Sequence, residues 1–238
     1  MRFFDQCLIV ACALLMGCGG GAGGGGGSSQ PQSKVVSTNV SNLKAAYASF
    51  VSTPFQVNFS ASLTKNGVTA NGSGSVTQGA AQTGTFEGAA AQKVVTTIRG
   101  NITGNGNTVS LDNSSTEYFD SNYNYRGTDG TSAYSVVDGL ASFPTNIKVG
   151  DTGELYTVKK YSNNTKSTLN GTEKVSYLIE ADTASTALVS IISVEKDRNS
   201  NVTSQDTTQY RISADNKLTP TKETWSDYSD GILGTVTY

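Results

Sequence analysis

Histidine is absent from this 238-residue chain. Its absence removes the Ser-His-Asp and Cys-His relays, His-ligated zinc or iron, and the usual proton switch near neutrality. The three cysteines, Cys7, Cys12 and Cys18, all fall within the first eighteen residues. Nothing later in the chain can therefore form an intramolecular disulfide or a thiolate cluster. Charge is scarce as well, at 15% of residues against about 25% in an average domain. Lys and Arg number 17 against 19 Asp and Glu, a net charge of −2, and no basic block occurs anywhere. Nucleic acid is thereby excluded as a partner. The hydrophobic share is also low, at 36%. Ser, Thr, Asn and Gly fill the gap, which is the balance of a polar all-β protein and not of a helical bundle.

What is present begins with an address. Arg2 supplies positive charge, and Cys7 to Met16 (CLIVACALLM) form an uninterrupted apolar run that stops at Gly17-Cys18. Ten apolar residues are too few to span a bilayer as a helix, but they fit the core of an export signal. Leu15-Met16-Gly17-Cys18 resembles the bacterial lipoprotein box, in which a small residue precedes a cysteine that is lipidated on sulfur and becomes the mature N-terminus. Met16 stands where the pattern prefers a smaller or β-branched residue, and Asp5 partly cancels the charge of Arg2. A rival box at Ile9-Val10-Ala11-Cys12 leaves too short an apolar run before the cut, so Cys18 is the expected attachment site. The resemblance implies two or three acyl chains, palmitate among them, and effectively permanent membrane attachment. Gly19 stands where an inner-membrane retention signal has Asp, so the resemblance points to the outer membrane.

Residues 19–33 read GGGAGGGGGSSQPQS, with no apolar side chain larger than alanine. Such a segment cannot repay its ordering entropy, and as a coil it spans about 20 Å. The reading is thus a signal peptide at 1–17, a lipidated cysteine and tether at 18–33, and a single antiparallel β domain at 34–238.

Within that domain the pattern is mainly β, an antiparallel sandwich or open curved barrel with one short N-terminal helix. Leu43, Ala46, Tyr47 and Phe50 fall at i, i+3, i+4 and i+7, so a helix is expected over 41–51, capped by Ser41 and lying across a sheet. After Pro54 comes strict alternation, with Phe55, Val57, Phe59, Ala61 and Leu63 on one face. Asn66-Gly67 suits a two-residue hairpin turn that pairs Lys65 with Val68, Leu63 with Ala70, Phe59 with Gly74 and Val57 with Val76. Further strands are expected at 94–102, 108–111, 116–119, 154–161, 174–180, 186–196, 207–213, 217–228 and 232–238, as an antiparallel meander. A short helix or loop at 140–144 is expected to join two halves.

Several patterns bear on function. Asp120-Ser121-Asn122-Tyr123-Asn124 and Asp197-Arg198-Asn199-Ser200-Asn201 open like calcium loops, but Tyr125 and Val202 replace the required glycine and Thr131 and Thr208 the bidentate glutamate. Both read as turns, and no metal site or cofactor is expected. Ser41-Asn42-Leu43-Lys44 matches S-x-x-K without its companion motifs, so no catalytic serine is assigned. Tyr118, Tyr123 and Tyr125, with Asp120 and Asn122, form a candidate ligand-binding cluster, because rings supply rigid contact area and amides directional bonds. The competing reading is that these tyrosines pack the edge of the core. Glu154, Glu173 and Glu180 are the carboxylates available for glycosidase-type chemistry.

Three functional readings follow. The first is a non-enzymatic envelope lipoprotein with a binding or structural β domain, facing the periplasm or the cell surface, whose partner is an envelope glycan, lipid or protein. A helix followed by a long curved hairpin also resembles the opening of the lipoprotein carrier and receptor folds, which implies acyl-chain cargo and a large apolar cavity. The second is a carboxylate-based glycan hydrolase. The third is an integral outer-membrane barrel, prompted by Ile232, Val236 and the terminal Tyr238. It is disfavoured by strand faces rich in Asn, Ser and Thr.

Overall fold

A computed structural model describes residues 40–130 and 134–238. The signal segment, Cys18 and the tether lie outside the described residues. Among the described residues one helix, α1 (Leu43–Ser52), precedes thirteen strands. These are β1 (Phe55–Lys65), β2 (Val68–Gln78), β3 (Gln82–Phe86), β4 (Ala89–Gly104), β5 (Asn107–Phe119), β6 (Tyr125–Asp129), β7 (Tyr134–Val137), β8 (Thr152–Tyr161), β9 (Leu169–Ala181), β10 (Thr186–Asp197), β11 (Val202–Ser213), β12 (Leu218–Asp227) and β13 (Ile232–Thr237).

The Asn66-Gly67 turn sets the first register as expected, both residues taking positive φ (52° and 78°). Lys65 pairs with Val68, Leu63 with Ala70, Phe59 with Gly74 and Val57 with Val76. From β4 to β13 each strand pairs with the next, antiparallel throughout, and β13 returns to β1. The ring is completed by β2, whose Asn71–Gln78 pair with Thr96–Thr103 of β4. The short β3 lies further along the same edge of β4, paired with Ala89–Lys93. The result is a closed antiparallel barrel of twelve staves, with β2 and β3 sharing one.

This corrects the sandwich alternative. Alternation and turn spacing are the same in a sandwich and a barrel. What separates them is the β2–β4 seam, a non-local pairing across β3 that leaves no sheet edge free there. The segment expected to join two halves is a loop, and β3, β6 and β7 are short strands that the pattern did not announce.

Apolar alternate positions point inward. Phe59, Leu63, Val76, Ile98, Val189 and Val236 are buried, while outward positions on β1 and β4 carry Asn58, Ser60, Ser62, Thr97, Arg99 and Asn101. A lipid-embedded barrel has the reverse arrangement. Twelve staves enclose more space than strand side chains alone fill, since eight is about the number at which they do. Helix α1 occupies part of the excess. Leu43, Ala46, Tyr47, Phe50 and Val51 are buried. Tyr47 meets Phe119 of β5 and stacks on Phe143, while Phe50 meets Tyr210 of β11 edge-on. These partners stand on opposite walls, so the helix spans one end of the barrel.

The helix start differs from expectation by one residue. The Asn42 side chain, not Ser41, accepts the Ala45 N–H at 2.9 Å. Ser41 instead exchanges backbone hydrogen bonds with Ile147 in the 138–151 loop. At the other end, buried Gln78 donates its amide to the carbonyls of Phe50 (2.9 Å), Val51 (3.3 Å) and Thr53 (2.8 Å). A β2 side chain thus fulfils the C-terminal capping that helices otherwise find in glycine motifs or solvent.

Candidate functional site

The sequence-predicted tyrosine cluster is dispersed by strand alternation. Tyr118 points outward and stacks on Phe86 at 4.6 Å, in a small external cluster with Tyr134. Phe119, its neighbour, points inward and is fully buried. Tyr125 is also internal, edge-on to Phe119 and 5.3 Å from Tyr156. Tyr123 sits in the turn at φ 59°, half-buried. Asn122 is exposed. The Asp120 carboxylate accepts the N–H groups of Asn122 and Asn124 and the Asn124 amide. Those bonds hold its pKa below the ordinary range, against the upward push of burial. Asp197 builds the same loop with Asn199 and Asn201, so both calcium-like openings are turns whose aspartate is consumed locally. The five candidates therefore form no single face.

The three candidate catalytic carboxylates are similarly divided. Glu154 is exposed on the outer wall, 2.6 Å from Lys174. Glu180 accepts the Ser190 hydroxyl at 3.1 Å, again on the outward face. Glu173 alone faces inward, accepting the Ser193 hydroxyl at 2.5 Å.

What the fold does bring together lies on the inner wall beneath α1. Gln78 of β2 and Thr96 of β4 are directly paired, and Thr96 is paired in turn with Ser115 of β5. Glu117 stands at the next inward position of β5, opposite Val94. All of Gln78, Thr96 and Glu117 are buried, as is Tyr47, descending from the helix. Each carries a buried atom with no hydrogen-bond partner among the described residues: Tyr47 Oη, Gln78 Oε1, Thr96 Oγ1 and Glu117 Oε2. Burial pushes the Glu117 carboxyl up from its ordinary range, and the charge of Glu173 adds to this. Burial likewise raises the Tyr47, Tyr156 and Tyr210 hydroxyls, with Glu117 among the charges adding to each. Asp206 and Glu223 are also buried on the inner face, on β11 and β12, and Glu223 accepts the Tyr238 hydroxyl at 3.1 Å.

The far end of the barrel carries a polar hollow of about 130 Å³, lined by Lys160, Glu195, Asp206, Trp225 and Asp227. There Lys160 pairs with Glu195 at 2.6 Å. Among the described residues no group of three or more acids or cysteines is arranged to hold a metal.

Sequence reasoning passed over Gln78, Thr96, Glu117, Asp206 and Glu223. The usable signal was a polar residue on the apolar parity of a strand: Thr96 between Val94 and Ile98, and Glu117 two residues before Phe119.

No protein-family model matches the chain, and neither does any curated protein. Two solved bacterial structures are similar to it. One is a Bacteroides fragilis protein described as exported and as having a YmcC-like fold. It is 10% identical with a TM-score of 0.33, over 76% of this chain and 92% of that one. The other is a DUF1329 family protein from Desulfovibrio piger, 10% identical with a TM-score of 0.35, over 83% of this chain and 91% of that one. Likeness at this level bears no weight for function.

Proposed function

We propose that this chain is a bacterial outer-membrane lipoprotein, held through acyl chains on Cys18, whose barrel is a non-enzymatic binding module in the envelope. The observation that carries the anchoring is sequential: a ten-residue apolar run ends at Gly17-Cys18 and is followed at once by fifteen residues with no apolar side chain larger than alanine. The polar outer wall supports a barrel that stands in water beside a membrane and not within it. The buried carboxyl of Glu117, whose Oε2 finds no hydrogen-bond partner among the described residues, disfavours acyl-chain cargo, because an apolar chain cannot satisfy it. The placement of Glu154 and Glu180 on the outer wall, apart from the inward Glu173, disfavours a carboxylate-based hydrolase built on these three.

Mass spectrometry of the protein extracted from a bacterial host tests the anchoring. The expected product begins at Cys18 and carries diacylglycerol on its sulfur, and Cys18→Ala leaves the membrane fraction with residues 1–17 retained. A bare Cys18 sulfur in the wild-type product refutes the reading.

A further inference from the structure

We infer that the inner wall beneath α1 is a binding site for a small cation rich in hydrogen-bond donors, an ammonium- or guanidinium-bearing molecule. The inference rests on the binding-module reading and names its ligand class. Four atoms carry it. Tyr47 Oη, Gln78 Oε1, Thr96 Oγ1 and Glu117 Oε2 are buried and without hydrogen-bond partners among the described residues, on residues whose exposures are 5%, 1%, 3% and 6%. Leaving such groups unmet is unfavourable, so three on adjoining strands with a fourth descending from α1 point to something that meets them.

The kind of partner follows from what the atoms can do. The Gln78 amide N–H groups are already given to the helix carbonyls, so its free end is an acceptor. Glu117 and the two hydroxyls accept as well. A saccharide hydroxyl both donates and accepts, whereas an ammonium or guanidinium only donates, three to five times. The site asks chiefly for donors. Its surroundings ask for positive charge: Glu117, Glu173, Asp206 and Glu223 are all buried on the inner faces of their strands. The rings of Tyr125 and Tyr156 add cation–π attraction where a cation sits over them.

The chain has a single tryptophan, Trp225, on the inner face of β12, and its emission reports on the interior. The full-length protein, purified in detergent, is titrated with putrescine and with arginine amide, and separately with glycerol and glucose, at fixed ionic strength. The expected result is a saturable change with the amines alone, weakened at least tenfold by Glu117→Gln and severalfold by Thr96→Val. Asp112→Asn on the outer wall leaves it unchanged. Far-UV circular dichroism checks each variant, and Thr96→Val decides if Glu117→Gln does not fold. Saturation by the polyols alone overturns the ligand class while leaving a binding module. Amine binding that ignores both substitutions overturns the site. Saturation by neither class means that ordered water meets the four atoms, and overturns the site and the binding role together. The anchoring is read independently from the mass of the processed protein.

Discussion

Gly74 faces Gly100 across the β2–β4 seam, and the Gly74→Ala substitution tests whether barrel closure depends on two bare backbones meeting there. A Cβ at Gly74 would stand 2.1 Å from the Arg99 carbonyl oxygen and 2.7 Å from the Gly100 Cα. Neither obstacle is the end of a flexible side chain, so the seam itself must shift by more than an ångström. Overpacking of this kind costs about 1–3 kcal/mol, and the stiffer unfolded chain returns about 0.4–1 kcal/mol. The expected net loss is about 1–2 kcal/mol. For a chain of this size that lowers the melting temperature by about 2–8 °C, at 2–4 °C for each kcal/mol. Gly100→Ala should behave alike, since its Cβ would meet the Ser73 carbonyl at 2.3 Å. The double substitution should lose less than the sum, because one displacement of the seam relieves both clashes. Thermal unfolding followed by circular dichroism measures all three. A Gly74→Ala protein that melts at or above the parent would refute the closed seam.

Three further outcomes are expected. Burial raises the folded-state pKa of Glu117 above 4.5, so the proton it keeps stabilises the fold fully below that value and progressively less as pH climbs toward the folded pKa. Glu117→Gln should therefore gain melting temperature relative to the parent as pH rises from 4 to 7, and a pH-independent difference would contradict the burial. Gln78→Leu strands the carbonyls of Phe50 and Thr53 and should cost about 1–3 kcal/mol in urea denaturation, whereas an unchanged midpoint would remove the capping role. Gly234→Val places a Cβ 2.0 Å from the Trp225 ring. The indole must leave its buried position, which a red-shifted emission would report and an unshifted one would deny.

Much of the local architecture was legible because local chemistry sets it. Asn66-Gly67 fixed a whole hairpin register, and the 3.6-residue spacing of Leu43, Tyr47 and Phe50 located the helix. Its cap fell on Asn42, one residue along, because Ser41 was already engaged with Ile147. The barrel's closure was not legible. It depends on β2 bypassing β3 to reach β4, a pairing set by the Gly74–Gly100 approach and not by any nearby pattern. The candidate tyrosine cluster is dispersed for a related reason. Tyr118 and Tyr125 are seven residues apart in the chain, but alternation and the irregularity beside Phe119 put the two rings on opposite sides of one wall. The polar atoms that do gather come from α1, β2, β4 and β5, and their neighbourhood exists only once the ring has closed.

The residue that precedes the helix emerges at the occluded pole, where Asn42 is pinned to Asn216 by a 2.7 Å hydrogen bond. Any upstream attachment therefore pulls on that pole, and the load enters through α1 and the Ser41–Ile147 bridge.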